Sequence, residues 1–151
     1  MTNTQTNIDS QLAAVIASIE SSNNPHALRF EPTVFANFKT TSKPIVDVIA
    51  ACNECSHDTA LALASFSFGK YQLMGYNLYE CGYRMGVVDF LNNETAQLGY
   101  FEAFLIRKGL NVSLSSLLAS EQRLEQFAFI YNGSTLYAKA MRAVAQKMGF
   151  V

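Results

Sequence analysis

The chain has 151 residues, half of them hydrophobic and 15% charged, with a formal net charge of −1. That composition excludes a disordered polar chain and suffices for a single domain, 1–151, with a true core. Near-neutral charge without basic clusters leaves no electrostatic footprint for nucleic acid, and no stretch reaches the ~20 apolar residues of a membrane span, so no membrane insertion is expected.

The start, Met1 to Asp9, is polar and lacks the basic and apolar blocks of a secretory signal. It predicts synthesis in a cytoplasm, with residues 1–8 as a flexible tail. From Ile8, apolar residues at Leu12, Val15, Ile16 and Ile19 recur at helical spacing and predict a helix over 10–22. Asn23-Asn24-Pro25 stops it, because proline cannot continue the hydrogen-bond ladder.

Glu20 falls in the last turn of that helix, beside its apolar stripe. The negative end of the helix dipole and partial burial both disfavour a charged carboxylate there. A carboxyl group that keeps its proton near neutral pH is what general-acid catalysis requires. The position equally suits a surface glutamate at a frayed helix end.

Leu28 and Phe30 alternate with Arg29 and Glu31, as in a short strand or extended lid. Glu31 is a second candidate carboxylate; an ion pair with Arg29 or Lys39 is its plainer role. A helix follows over 45–51. Cys52-Asn-Glu-Cys55-Ser-His57 is half of a metal-type pattern. With only Cys81 left as a further thiol it does not complete a zinc site, and neither metal nor cofactor is expected. Asp58 can cap a helix over 59–64.

The stretch Ser65 to Asn77 alternates apolar and small residues around Gly69, Gln72 and Gly75. It predicts a hairpin with a glycine at a close backbone approach. Beyond it the spacing predicts short helices over 76–80 and 87–92, then a long one with apolar positions from Ala96 to Ile106, ended by Arg107-Lys108-Gly109. Ser113 and Ser120 are N-cap signals for helices over 114–119 and 121–131, the second stopped by Asn132-Gly133. A last helix spans 134–148, with Leu136, Ala140, Val144 and Met148 at helical spacing. The expectation is six to eight helices and one small β-hairpin.

Three pieces, in this order, carry a resemblance: Ile19-Glu20-Ser21, then Ser67 to Gly75, then Ile130-Tyr131-Asn132-Gly133. With Arg29-Phe30-Glu31 and Gln97 they resemble the lysozyme-like superfamily, most closely the N-acetylmuramidase domain of phage endolysins and tail proteins. Lytic transglycosylases share a looser version of the pattern. Phe68 departs from it, standing where family members often carry Trp or Tyr.

The resemblance implies a mainly helical α+β fold of two lobes around a cleft that takes a peptidoglycan glycan strand. It gives Glu20 the role of catalytic acid and makes Glu31 the matched second carboxylate. A polymeric sugar offers hydroxyl and acetamido groups, so Gln72, Asn132 and the backbone at Gly69 and Gly75 are expected to bond it. Tyr76 and Tyr131 can stack on its rings, and Ser21 can orient Glu20 or cap the helix. The implied activity is cleavage of the β-1,4 bond between N-acetylmuramic acid and N-acetylglucosamine. The alternatives are a transglycosylase forming an anhydro sugar, or a non-enzymatic phage structural protein that keeps the fold. The protein would reach the wall by release at lysis or on a phage tail.

Overall fold

The chain leaves its first helix by a left-handed turn, and that turn sets where every later element sits. In the computed structural model, which describes residues 7–41 and 43–151, α1 is Ser10–Ser21. The Asp9 carboxylate accepts the Leu12 N–H at 2.8 Å and caps its start. Leu12, Val15 and Ile16 have no exposed surface, and burying each stabilises the fold by about 1.5–3 kcal/mol. Ser22 (φ 52°) and Asn23 (φ 65°) are left-handed. The Asn23 N–H bonds back to the Ala17 carbonyl at 3.0 Å, so the helix is closed before Pro25 is reached. Of the expected tail, residues 1–6 lie outside the described residues. Ile8 is tied down: its N–H donates to the Glu102 carboxylate at 3.0 Å and its side chain packs on the core.

Next come β1 (Leu28–Phe30), α2 (Pro32–Thr40), α3 (Pro44–Asn53) and α4 (His57–Ala64). After them, β2 (Phe66–Phe68) and β3 (Leu73–Met74) lead into α5 (Gly75–Glu80). The remainder is helical: α6 (Val87–Leu91), α7 (Glu94–Lys108), α8 (Leu114–Leu118), α9 (Glu121–Asn132) and α10 (Leu136–Lys147). The described residues thus hold ten helices rather than six to eight. Nine of them fall on the stretches read as helical, and the one not expected is α2. Pro32 pre-sets its first turn, and although no residue of it is fully buried, Phe35 and Phe38 pack on the core. The Ser56 hydroxyl, rather than Asp58, caps α4.

The hairpin is part of a three-stranded antiparallel sheet in the order β1-β2-β3. Arg29 faces Ser67 and Ser67 faces Met74 across the strands, which puts the three side chains in one row on one face of the sheet. Around the sheet, α3 packs on α4 and α5, and α2 on α4. On the other side α1 packs on α10, and α9 lies against both α8 and α10.

The last helix turns a different face inward from the one its spacing suggests. Tyr137, Ala138, Met141 and Ala145 are buried, whereas Leu136 is 68% exposed. Both sets repeat at helical spacing. Small alanines allow close approach to α1 and α9, and a hydrophobicity count underrates them.

Two side-chain amides and two glycines lock the hairpin. Buried Gln97 accepts the Lys70 N–H at 2.9 Å and donates to the carbonyls of Pro25 (2.9 Å) and Phe90 (3.1 Å). Gly69 (φ 80°) leaves room for it, because a Cβ there would lie 2.6 Å from the Gln97 oxygen. Gly75 lets α5 start against α4: a Cβ there would lie 2.1 Å from the Leu63 carbonyl oxygen.

Candidate active site

A cleft of about 320 Å³ runs between the two groups of elements. The sheet side supplies Arg29, Glu31, Ser67, Gln72, Met74, Tyr76 and Asn77. Opposite stand Glu20 from α1, Phe104 and Lys108 from α7, and Ile130, Tyr131 and Asn132 from α9. Of the nine residues named from the sequence, Glu20, Glu31, Gln72, Tyr76, Tyr131 and Asn132 line this one cleft, and Ser21, Gly69 and Gly75 do not.

Glu20 accepts a hydrogen bond from the Tyr137 hydroxyl at 2.8 Å. Burial pushes its carboxyl above the usual range. The Tyr137 hydrogen bond and the nearby Arg29 charge pull the other way without cancelling it. Burial, with Tyr131 and Glu20 beside it, holds the Tyr137 phenol far above its own usual range, so it stays a donor. A carboxyl whose pKa is raised by burial, at the edge of a cleft, is suited to deliver a proton to an oxygen lying there.

Glu31 occupies a different environment. It is the residue before the first turn of α2, and its carboxylate accepts from Arg29 Nε at 2.6 Å. A helix start suits negative charge. Arg29 therefore stands within electrostatic reach of both acids, bonded to Glu31 and felt by Glu20. The alternation in β1 explains this: Arg29 points to the cleft face, while Leu28 and Phe30 point away from it.

The other residues divide into lining and frame. Ser21 donates to the Lys70 carbonyl at 2.7 Å and accepts from the Asn24 N–H at 3.0 Å. It ties the end of α1 to the hairpin and does not touch Glu20, because its side chain leaves the helix toward the loop. Gly69 and Gly75 likewise make room for neighbours, as described above. Gln72, left-handed at φ 50°, lines the cleft, but its amide is mostly engaged. It accepts from the Ser67 hydroxyl at 2.7 Å and donates to the carbonyls of Gly69 (2.9 Å) and Ala27 (3.2 Å).

Tyr131 is stacked on Phe127 at 5.7 Å and lies edge-on to Phe104 at 6.2 Å, so one ring face is already covered. Tyr76 leans on Phe38 at 5.2 Å. The cysteines are free thiols. Among the described residues no three His, Cys, Asp or Glu side chains converge as a metal site would need.

Tyr137, Arg29, Asn77 and Lys108 were not named as site residues from the sequence. Tyr137 carried one signal, a tyrosine in phase with Ala138, Met141 and Ala145 on a helix face. Arg29 carried another, its alternation with two apolar residues. Asn77 and Lys108 carried none.

A mainly helical chain with a small sheet and a two-walled cleft holding a glutamate whose pKa is raised by burial is an arrangement that suits a glycan-cleaving enzyme. Comparison with known sequences makes this specific: the profile described as Muramidase, N-acetylmuramidase, matches residues 49–148, and the chain belongs to that family. The endolysin of Enterobacteria phage PRD1 is 35% identical over an alignment of 140 residues, which covers 89% of this chain and 94% of that protein. No solved structure matches. The profile begins after Glu20 and Glu31, so neither acid is part of the matched stretch.

Proposed function

We propose that this chain is a peptidoglycan hydrolase that cleaves the β-1,4 bond between N-acetylmuramic acid and N-acetylglucosamine, with Glu20 as the general acid. The observation that carries the reading is the Glu20 carboxyl, raised by burial and held by Tyr137 on the wall of a cleft. In this reading Glu20 gives its proton to the glycosidic oxygen as the bond breaks, and positive charge grows on the muramic sugar. Glu31, beside Arg29, lies on the other wall of the cleft; it guides a water to the anomeric carbon and takes the proton that the water loses as the new C–O bond forms. Gln72 and Asn132 offer polar contacts to hydroxyl and acetamido groups, and Tyr76 offers a ring face. Membership of the N-acetylmuramidase family and the endolysin relative support the substrate class. The endolysin also favours release at lysis over carriage on a tail.

A second reading rests on the Arg29–Glu31 ion pair at 2.6 Å. If that pair keeps Glu31 from serving a water, Glu20 can act alone. It protonates the leaving oxygen, then takes the proton of the muramic acid's own hydroxyl, which closes an anhydro ring. The test is digestion of purified wall by the wild type and by Glu20→Gln, with products weighed by mass spectrometry. The first reading expects hydrated muropeptides from the wild type and almost none from the variant. Products lighter by one water establish the second. Undiminished release by Glu20→Gln overturns both.

A further inference from the structure

The cleft does not end at α9. Ile130 lines it on one side and, on the other, lines a second groove of about 280 Å³. Lys108 borders the cleft and its chain neighbour Gly109 borders the groove. The groove is walled by Leu110, Val112 and Leu117, with Arg123 on its edge. Its lining contains no aspartate or glutamate.

Two features mark it as a surface made for something. Ile130 is 57% exposed and Val112 37%, so apolar area stands open at the junction. Lys108 and Arg123, like Lys39, Lys43, Arg84, Lys139 and Lys147, form no ion pair among the described residues, but these two alone stand at the cleft–groove junction. Two cations without counter-charges thus flank a short apolar trough that leads out of the cleft.

We infer that this groove binds the acidic peptide carried by the muramic acid residues of the glycan, an inference that rests on the function proposed above. A glycan lying in the cleft must pass its peptide sideways, because the peptide hangs from the lactyl group of the sugar. The peptide alternates methyl-bearing residues with residues that carry free carboxylates. Methyl groups suit Leu110, Val112 and Leu117. A carboxylate suits the Arg123 guanidinium, which can bind it with two parallel hydrogen bonds. Lys108 supplies a second positive charge at the mouth. The occupant is therefore anionic and short, and it enters from the cleft side.

The test uses the full chain carrying Glu20→Gln, so that sugars bind without turnover, and follows backbone amides by NMR. Two probes are titrated: the disaccharide of N-acetylglucosamine and N-acetylmuramic acid, and the same disaccharide bearing its tetrapeptide. The expected result is that both probes shift cleft residues such as Asn77 and Asn132, while the peptide-bearing probe alone shifts Val112, Leu117 and Arg123. Adding Arg123→Gln should weaken the peptide-bearing probe about three- to tenfold and change the peptide-free probe less than twofold. Shifts confined to the cleft with both probes overturn the inference and leave the proposed function standing. If neither probe shifts the cleft, both readings fall.

Discussion

The two walls of the cleft each present one glutamate, and they treat it in opposite ways. On the helical wall, α1 carries Glu20 into partial burial, with a phenol as its hydrogen-bond partner and a helix C-terminus behind it. On the sheet wall, Glu31 stands at a helix start with a guanidinium bonded to it. One environment disfavours the charged carboxyl by burial, and the other sets a guanidinium against its carboxylate. The same side chain thus meets opposite surroundings on the two walls, which the proposed division of labour requires. The walls differ in construction as well. The helical wall is ordinary side-chain packing, whereas the sheet wall is short backbone segments laced together by Gln72 and Gln97.

The largest way to test the contrast is to remove one acid at a time. Glu20→Gln keeps the shape and loses the proton, so kcat/KM on purified wall should fall by about 10²–10⁴-fold, the usual worth of a positioned acid. Glu31→Gln should cost less, and its loss should appear in kcat more than in KM. Equal losses would mean that the walls do not divide the work in this way. Next in size is an effect on the frame of the sheet wall. Gly75→Ala forces a methyl to 2.1 Å from the Leu63 carbonyl. Thermal unfolding should reveal a destabilisation of about 1–3 kcal/mol or more. An unchanged Tm would mean that α5 can lift off α4 freely.

These particulars also show what the sequence made legible. Glu20 could be placed beside an apolar stripe at a helix end because helical spacing and a proline stop are local signals. Ser113, Ser120, Gly109 and Gly133 marked element ends for the same reason, each acting on its own turn. The misreadings share a cause: the deciding contact is distant in sequence. Ser21 could not be assigned to Lys70, nor Tyr137 to Glu20, without knowing that α1 lies between the hairpin and α10. Gln72 and Gly75 were rightly singled out as unusual, but their spacing does not distinguish a residue that lines a cleft from one that holds it open. The helix α2 escaped although Phe35 and Phe38 sit at helical spacing behind Pro32 and pack on the core, because they directly follow the alternating stretch from Leu28 to Glu31.

A smaller perturbation acts on the acid without removing it. Tyr137→Phe deletes the hydroxyl that favours the charged form of Glu20 and leaves the ring packed. The Glu20 pKa should then rise further, because one of the two influences lowering it is gone while burial remains. The alkaline limb of kcat/KM against pH, which reports the free enzyme's acid, should move to higher pH. The rate at the optimum should fall by up to about tenfold, in line with losing one hydrogen bond. A tyrosine with only a packing role would leave the alkaline limb where it is.

The smallest expected effect concerns stability, and its sign follows from the same acid. A carboxyl whose pKa is raised on folding binds more protons folded than unfolded at pH values between the two pKa values. Its contribution to stability is then fully present below the unfolded pKa and is lost as pH rises through the folded one. Above the folded value, the native state carries a partly buried charge that the unfolded chain would hold in water. Glu20→Gln removes that charge and keeps an oxygen to accept from Tyr137, so the variant should melt higher than the wild type at pH values above the folded pKa of Glu20. Each kcal/mol of relief is worth about 2–4 °C in a chain of this length. The gain should shrink as the pH is lowered through the folded pKa, where the native wild type regains its proton, and level off below the unfolded pKa. Glu31→Gln should show the reverse at neutral pH, a small loss, since it breaks an ion pair with Arg29 on a half-exposed surface. Melting curves of both variants across that pH range therefore read the contrast between the walls independently of any substrate. If the melting difference between Glu20→Gln and the wild type does not change with pH, the buried wall is not holding its acid against the charged form.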